Sequence, residues 1–260
     1  MLRFAANLTM LFTELPFEDR FGAARDAGFR AVEFSFPASV EAKDIYKYLR
    51  RYELVQALAT VPVREGSKGF AAVPGKQSQF REDFKRGLEY AAEAGCPLLH
   101  PLSGVIDTHN HNCASECFVE NMSWSVEEAE SCGIKIVVEA INQVDVPGYF
   151  IRSWDDACRW ARQVDGLGLI LDLYHASMEA KKVVSPEGLL VSQVDHVQIA
   201  GFPGRNEPDE AVLSTLSKLD LQKTQRFAGW VGCEYAPARG TLAGLGWLRS
   251  SSDYASSNRG

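Results

Sequence analysis

The sequence lacks every feature that would place it in a membrane, on DNA or in a disulfide scaffold. Its apolar runs are short, and none approaches the length needed to span a bilayer. Basic residues are in the minority, 27 against 34 acids, for a net charge of −7. A basic face for duplex DNA and a basic membrane anchor are therefore not expected. Six cysteines in 260 residues, with no C-x-x-C, are too dilute for a disulfide framework and read as reduced thiols of a cytoplasmic protein. No G-x-G-x-x-G or G-x-x-x-x-G-K-[ST] follows a strand pattern, so dinucleotide and P-loop sites lack their fingerprints. The N-terminal stretch MLRFAANLTMLFTELPFEDR shows no signal-peptide cleavage pattern and reads as a strand and loop. No linker or composition shift divides the chain, so one domain over residues 1–260 is expected, frayed over 250–260.

What is present is an alternation. Strand-like runs fall at Leu2–Asn7, Arg30–Phe34, Leu54–Ala59, Leu98–Leu102, Lys135–Glu139, Leu169–Asp172, His196–Ile199 and Trp230–Glu234. Helical periodicity lies between them at Pro16–Ala27, Val40–Tyr52, Phe80–Ala94, Ala114–Ser131 and Trp154–Val164. Shorter or weaker helical stretches are Glu187–Gln193, Leu213–Arg226 and Gly244–Ser251. Eight strand–helix units in a chain of this length predict a (β/α)8 TIM barrel, with an open parallel sheet as the alternative.

In such a barrel the active site lies at the C-terminal strand ends. Those ends carry Asn7, Glu33, Thr60, His100, Glu139, Asp172, Gln198 and Glu234, several after apolar runs such as KIVVE, LILD and WVGCE. A charged group there is costly to bury unless it is paired or bound to a metal. Glu139, Asp172, Gln198 and Glu234 lie on adjacent strands and offer a hard, oxygen-rich site suited to Mg²⁺ or Mn²⁺. Glu33 and His100 are also within reach of a substrate there. His109, His111, Cys113 and Cys117 invite a zinc hypothesis, but their spacing on a loop and one helix argues against it. Phe202, Trp247 and Cys233 are expected to pack, and Lys76 to be a solvated loop lysine.

Longer stretches then carry a resemblance. RFAANLTMLFTELPF at the start, AGFRAVEFSFP at Ala27–Pro37, AVPGK at Ala72–Lys76, VVEAIN at Val137–Asn142 and LDLYH at Leu171–His175 resemble the hydroxypyruvate isomerase family. So do HVQIAGFPGRNEPDE at His196–Glu210 and GWVGCEYAPARGTLAGLGWL at Gly229–Leu248. That family includes 2-oxo-tetronate isomerases and has the xylose isomerase-like barrel. The resemblance implies Glu139 and Glu234 as the acid/base pair, and a divalent metal on Glu139, Asp172, Gln198 and Glu234. It places His175 and Arg205 on the substrate, and the strand-end reading adds His100 and Asn7 as substrate contacts. The implied reaction is hydroxypyruvate to 2-hydroxy-3-oxopropanoate. The alternatives are 2-oxo-tetronate isomerisation, a ketose 3-epimerase, or a non-catalytic binding protein. The expected partner is a small 2-oxo acid, without nucleic acid or membrane; a homo-oligomer is left open. The chain departs from the family pattern at ATVPVREGSKGF, IDTHNHN and AVLSTLSKLDL, all in expected loops around the pocket.

Overall fold

The computed structural model describes residues 2–37, 39–185, 194–219 and 229–250. In chain order the elements are β1 (Phe4–Asn7), α1 (Phe17–Asp26), β2 (Ala31–Phe34), α2 (Ala42–Arg51), β3 (Val55–Thr60) and α3 (Gln77–Ala94). Next come β4 (Leu98–His100), a 3₁₀ turn at Thr108–Asn110, α4 (His111–Glu130), β5 (Lys135–Glu139), α5 (Trp154–Gln163) and β6 (Gly168–Asp172). The chain continues with α6 (Leu173–Ala180), β7 (Val194–Ile199), α7 (Glu210–Lys218), β8 (Val231–Cys233), α8 (Thr241–Gly244) and α9 (Gly246–Ser250). The strands pair in sequence order, all parallel, and β8 closes on β1, so the barrel prevails over the open sheet.

Side chains alternate across each strand, and that alternation sorts the residues. One set packs outward under the helices in the main core: Ala6, Val32, Ala59, Leu99, Ile136, Val138, Leu171, Val197, Ile199 and Cys233. The other set points into the barrel, where Leu58, Val137 and Ile170 form a small separate cluster. Asn7, Glu33, His100, Glu139, Asp172, His196 and Gln198 are buried polar residues. Both faces of each strand are buried, which explains why KIVVE and GLILD read as continuous apolar runs. Register brings the polar ends level: Asn7 lies opposite Glu33, and Asp172 opposite Gln198.

Aromatic side chains fix the helices on this sheet. Phe118, Phe150 and Trp160 stack with ring centroids 5.1–5.2 Å apart, joining α4, the β5–α5 loop and α5. Burying each such ring contributes roughly 1.5–3 kcal/mol.

One helix differs from expectation. The connection from β6 to β7 begins with α6 immediately after Asp172, which caps it: Oδ1 accepts from the N–H groups of Tyr174 at 2.7 Å and His175 at 3.3 Å. The helix expected at Glu187–Gln193 lies outside the described residues, as do positions 220–226 of the expected Leu213–Arg226 helix and the tail from 251. The expected last turn or two is present as α8 and α9.

Three loops above strands β3, β4 and β5 are stitched together. Gly69 bridges Ser103, and Val105 bridges Tyr149. The Ala72 N–H donates to Ser103 O at 2.8 Å, and the Ser103 N–H donates to Tyr149 Oη at 3.0 Å. From α4, Asn121 Nδ2 donates to Ala71 O at 2.9 Å. Gly69 has φ 89°, and a Cβ there would overlap the Leu102 carbonyl, so this crossing admits only glycine. No helix among the described residues is long and apolar enough to cross a membrane, and the six cysteines are unpaired.

Candidate active site at the barrel mouth

A cavity of about 320 Å³ opens at the C-terminal strand ends. Its wall includes Asn7, Glu33, His100, Glu139, His175, Gln198, Arg205 and Glu234, and one residue the sequence reading passed over, Lys68. Asp172 stands just beside it, sharing a crevice with His175.

Glu139, Asp172 and His175 form a tight group. One ligand-capable atom from each lies within 4.8 Å of the others, and all three side chains are buried. Glu234 stands outside that group, where Arg205 Nη2 meets its Oε2 at 3.1 Å. Arg205 also lies over the Tyr174 ring, 4.9 Å from its centroid. Gln198 comes from the next strand, its Nε2 bonded to Glu33 at 2.9 Å. His100 Nδ1 is 3.9 Å from Glu139 Oε2, too long for a hydrogen bond. Asn7 reaches the wall, but Nδ2 donates to Glu33 at 3.0 Å and Oδ1 accepts from the Thr9 N–H at 3.0 Å.

Several buried atoms here have no hydrogen-bond partner: Glu139 Oε1, Asp172 Oδ2, Gln198 Oε1 and His100 Nε2. Leaving a buried acceptor unpaired costs about 1–3 kcal/mol, and more when it is charged. Three of these four atoms are oxygens from three successive strands.

The orientation of His175 follows from its neighbour Asn142. Asn142 Oδ1 accepts from the N–H groups of Val144 at 3.0 Å and Asp145 at 2.9 Å, so its amide cannot be reversed. Its Nδ2 therefore donates to His175 Nδ1, 2.6 Å away. In the neutral ring the proton then sits on Nε2, which is 3.6 Å from Glu139 Oε1 and 3.8 Å from Asp172 Oδ2. Burial holds the His175 pKa below its ordinary value. Sequence spacing cannot show this, because the bond joins residues 33 apart.

Burial, then the neighbouring Glu234 and Asp172 charges, push the Glu139 carboxyl well above its usual range. Burial likewise pushes Glu234 up to about 8, against the pull of Arg205. His100 is held down to about 3 by burial and by His196. The signs are opposite. A carboxyl raised from 4.5 to about 8 contributes stability that is complete below 4.5 and lost as pH rises through 8. A histidine lowered from 6.5 to about 3 contributes stability present above 6.5 and lost on acidification. Between pH 6.5 and 8 the lowered His100 and His175 add no further slope, whereas the raised Glu139 and Glu234 carboxyls still do. The melting temperature of chelator-treated protein should therefore fall across that window, and Glu234→Gln should flatten the fall. Scanning fluorimetry in buffers of matched ionic strength checks both.

The remaining sequence expectations sort cleanly. Cys233 is fully buried in the main core, and Trp247 packs edge-on to Phe4 at 5.3 Å. Phe202 is absent from the cavity wall. His111 stacks on Phe150, and Cys117 faces Ala71 O, so the zinc hypothesis finds no cluster among the described residues. Lys76 lies over the Phe70 ring, away from the cavity.

A family model described as xylose isomerase-like TIM barrel matches residues 21–251. The chain belongs to that family. A 2-oxo-tetronate isomerase of Cupriavidus necator is 38% identical, covering 96% of this chain and 98% of its own. The hydroxypyruvate isomerase of Escherichia coli is 30% identical, with 95% and 98% covered. Among solved structures, one named as an AP endonuclease, family 2, from Brucella melitensis superposes with a TM-score of 0.87 at 35% identity, covering 95% and 98%. D-psicose 3-epimerase from Clostridium cellulolyticum, at TM-score 0.72 and 15% identity over 94% and 89%, shares the fold.

Proposed function

We propose that this member of the family is a divalent-metal-dependent isomerase of a small 2-oxo acid. The observation that carries the reading is the trio of unpartnered buried oxygens on Glu139, Asp172 and Gln198 at the edge of a cavity that Glu234 also lines. The names of the relatives support the same class, and the higher identity of the 2-oxo-tetronate isomerase puts that substrate first and hydroxypyruvate second.

Glu139, Asp172, Gln198 and Glu234 would hold the ion, and three carboxylates plus an amide oxygen suit Mg²⁺ or Mn²⁺. Bound there, it would supply positive charge to the substrate's carbonyl and hydroxyl oxygens. The protein's own groups do the rest. One of Glu139 and Glu234 removes the proton from the hydroxyl-bearing carbon, and the other delivers a proton to the neighbouring carbonyl carbon. The hydroxyl proton passes to the former carbonyl oxygen, so the product is an isomer with no net gain or loss. Burial raises both carboxyls in the metal-free protein, and a bound cation would draw them back toward the ionised form, so the acid and base roles rest on the two glutamates sharing the cavity wall. His175, with Nε2–H facing the same space, is placed to donate to a substrate oxygen.

A 2-oxo acid also carries a carboxylate, which needs a cation. Arg205 is engaged by Glu234, whereas no hydrogen bond or ion pair among the described residues engages the Lys68 ammonium. Lys68 is therefore assigned to the substrate carboxylate. Conversion of each acid, and of a neutral ketose, can be followed by NMR in deuterated water. At least one acid should turn over, with the carbon-bound proton exchanging. Lys68→Met should raise KM by roughly 10-fold or more with kcat little changed, as loss of a charge-assisted hydrogen bond implies. Turnover of the ketose with neither acid converted would sink the reading. The Brucella structure's name raises DNA cleavage, but a net charge of −7 disfavours a phosphate backbone as ligand.

A further inference from the structure

The cavity wall also holds a carboxylate that the proposed reaction does not use as acid or base. Glu33, at the end of β2, is 1% exposed. Its Oε1 accepts from Asn7 Nδ2 at 3.0 Å and from Gln198 Nε2 at 2.9 Å, and its Oε2 is 2.6 Å from His196 Nε2. Asn7, His196 and Gln198 are themselves buried. Asn7 cannot reverse its amide, because the Thr9 N–H already occupies its oxygen. Space for the carboxylate comes from β8: a Cβ at Gly232 would overlap both Glu33 oxygens.

A glutamine side chain has two ends of nearly equal shape, one accepting and one donating. Nothing in the strand register decides which end of Gln198 faces the cavity. Glu33 decides it. A carboxylate oxygen carries no proton and can only accept, so the Gln198 NH₂ turns toward Glu33 Oε1 beside the Asn7 NH₂. The Gln198 Oε1 is then left buried and unpartnered, on a side chain that lines the cavity together with Glu139 and Glu234. The reversed amide would offer a hard cation the wrong end of its dipole.

We propose that Glu33 is a positioning residue that locks the Gln198 amide with its oxygen toward the cation site. The inference rests on the metal reading above. Its test is the affinity of Mn²⁺ for metal-free protein, measured by calorimetry on the full chain. Four proteins are compared: wild type, Glu33→Gln, Gln198→Ala and the double variant. Melting curves of the metal-free variants establish that each is folded. Glu33→Gln should weaken Mn²⁺ by about 10–100-fold, the usual effect of removing a residue that orients a ligand. In the Gln198→Ala background it should cost clearly less, only what the loss of a nearby negative charge takes from the cation, because the amide it orients is gone. Gly232→Ala, which displaces the same carboxylate without removing it, should repeat both results and serves where Glu33→Gln does not fold. Unchanged affinity in folded Glu33→Gln, or a loss that simply adds to that of Gln198→Ala, overturns the proposal. A wild-type protein that binds no Mn²⁺ overturns the metal reading together with it, whereas wild-type binding beside an unaltered Glu33→Gln overturns this inference alone.

Discussion

Glu139→Gln and Glu234→Gln should each lower turnover of the 2-oxo acid by about two to four orders of magnitude, the scale of general acid–base catalysis. The substitution keeps the side chain's size and one oxygen, and removes the group that takes and returns the proton. KM should move far less, since Lys68 and His175 remain on the cavity wall. The double variant should be little worse than either single one, because two halves of one proton transfer act as a unit. Solvent exchange separates the roles. If one variant still exchanges the substrate's carbon-bound proton at near wild-type rate, its glutamate does not carry that proton. His100, 3.9 Å from Glu139 with an unpartnered Nε2, is then the next residue to replace.

Stripping divalent ions should abolish turnover, and Mg²⁺ or Mn²⁺ should restore it. Asp172→Asn should weaken that restoration by about one to two orders of magnitude in the ion concentration required, as one of the charged ligands is lost. The choice of Asn matters. Asp172 Oδ1 caps α6 by accepting two backbone N–H groups, and an asparagine oxygen can do the same. Oδ2, which has no hydrogen-bond partner, becomes an NH₂. The melting temperature without metal should therefore change little, while the gain on adding Mn²⁺ should shrink. Full activity after exhaustive chelation would refute the metal role.

The polar strand ends were legible because alternation and the barrel's closure leave little choice. An acid or amide that ends an apolar run such as KIVVE or LILD falls on the inward parity at the mouth. The start of α6 was not legible. Leu173, Tyr174, His175, Ala176 and Ser177 are all buried, so that helix shows no polar face to set its period. Nor could spacing choose Lys68 over Lys76. The path of their loop is set by hydrogen bonds to Leu102 and Ser103 rather than by local preference. Its strand-end position alone puts Glu33 within reach of substrate. It lines the cavity, but its oxygens meet donors on β1 and β7. Those partners lie 26 and more residues away in the chain, beyond any local pattern.

The stitched loops above β3, β4 and β5 bear on the thermodynamics of ligand capture. A small acid makes few contacts, so its affinity is easily consumed by ordering the surface that receives it. Here Gly69, Ser103, Val105 and Tyr149 are already joined across three loops, and Asn121 ties them to α4. That half of the mouth enters the encounter with its backbone conformation settled. Binding on this side should leave amide exchange of residues 69–72 and 102–106 nearly as slow as it was before, and the free energy of a few polar contacts should appear in the affinity with little lost to loop ordering.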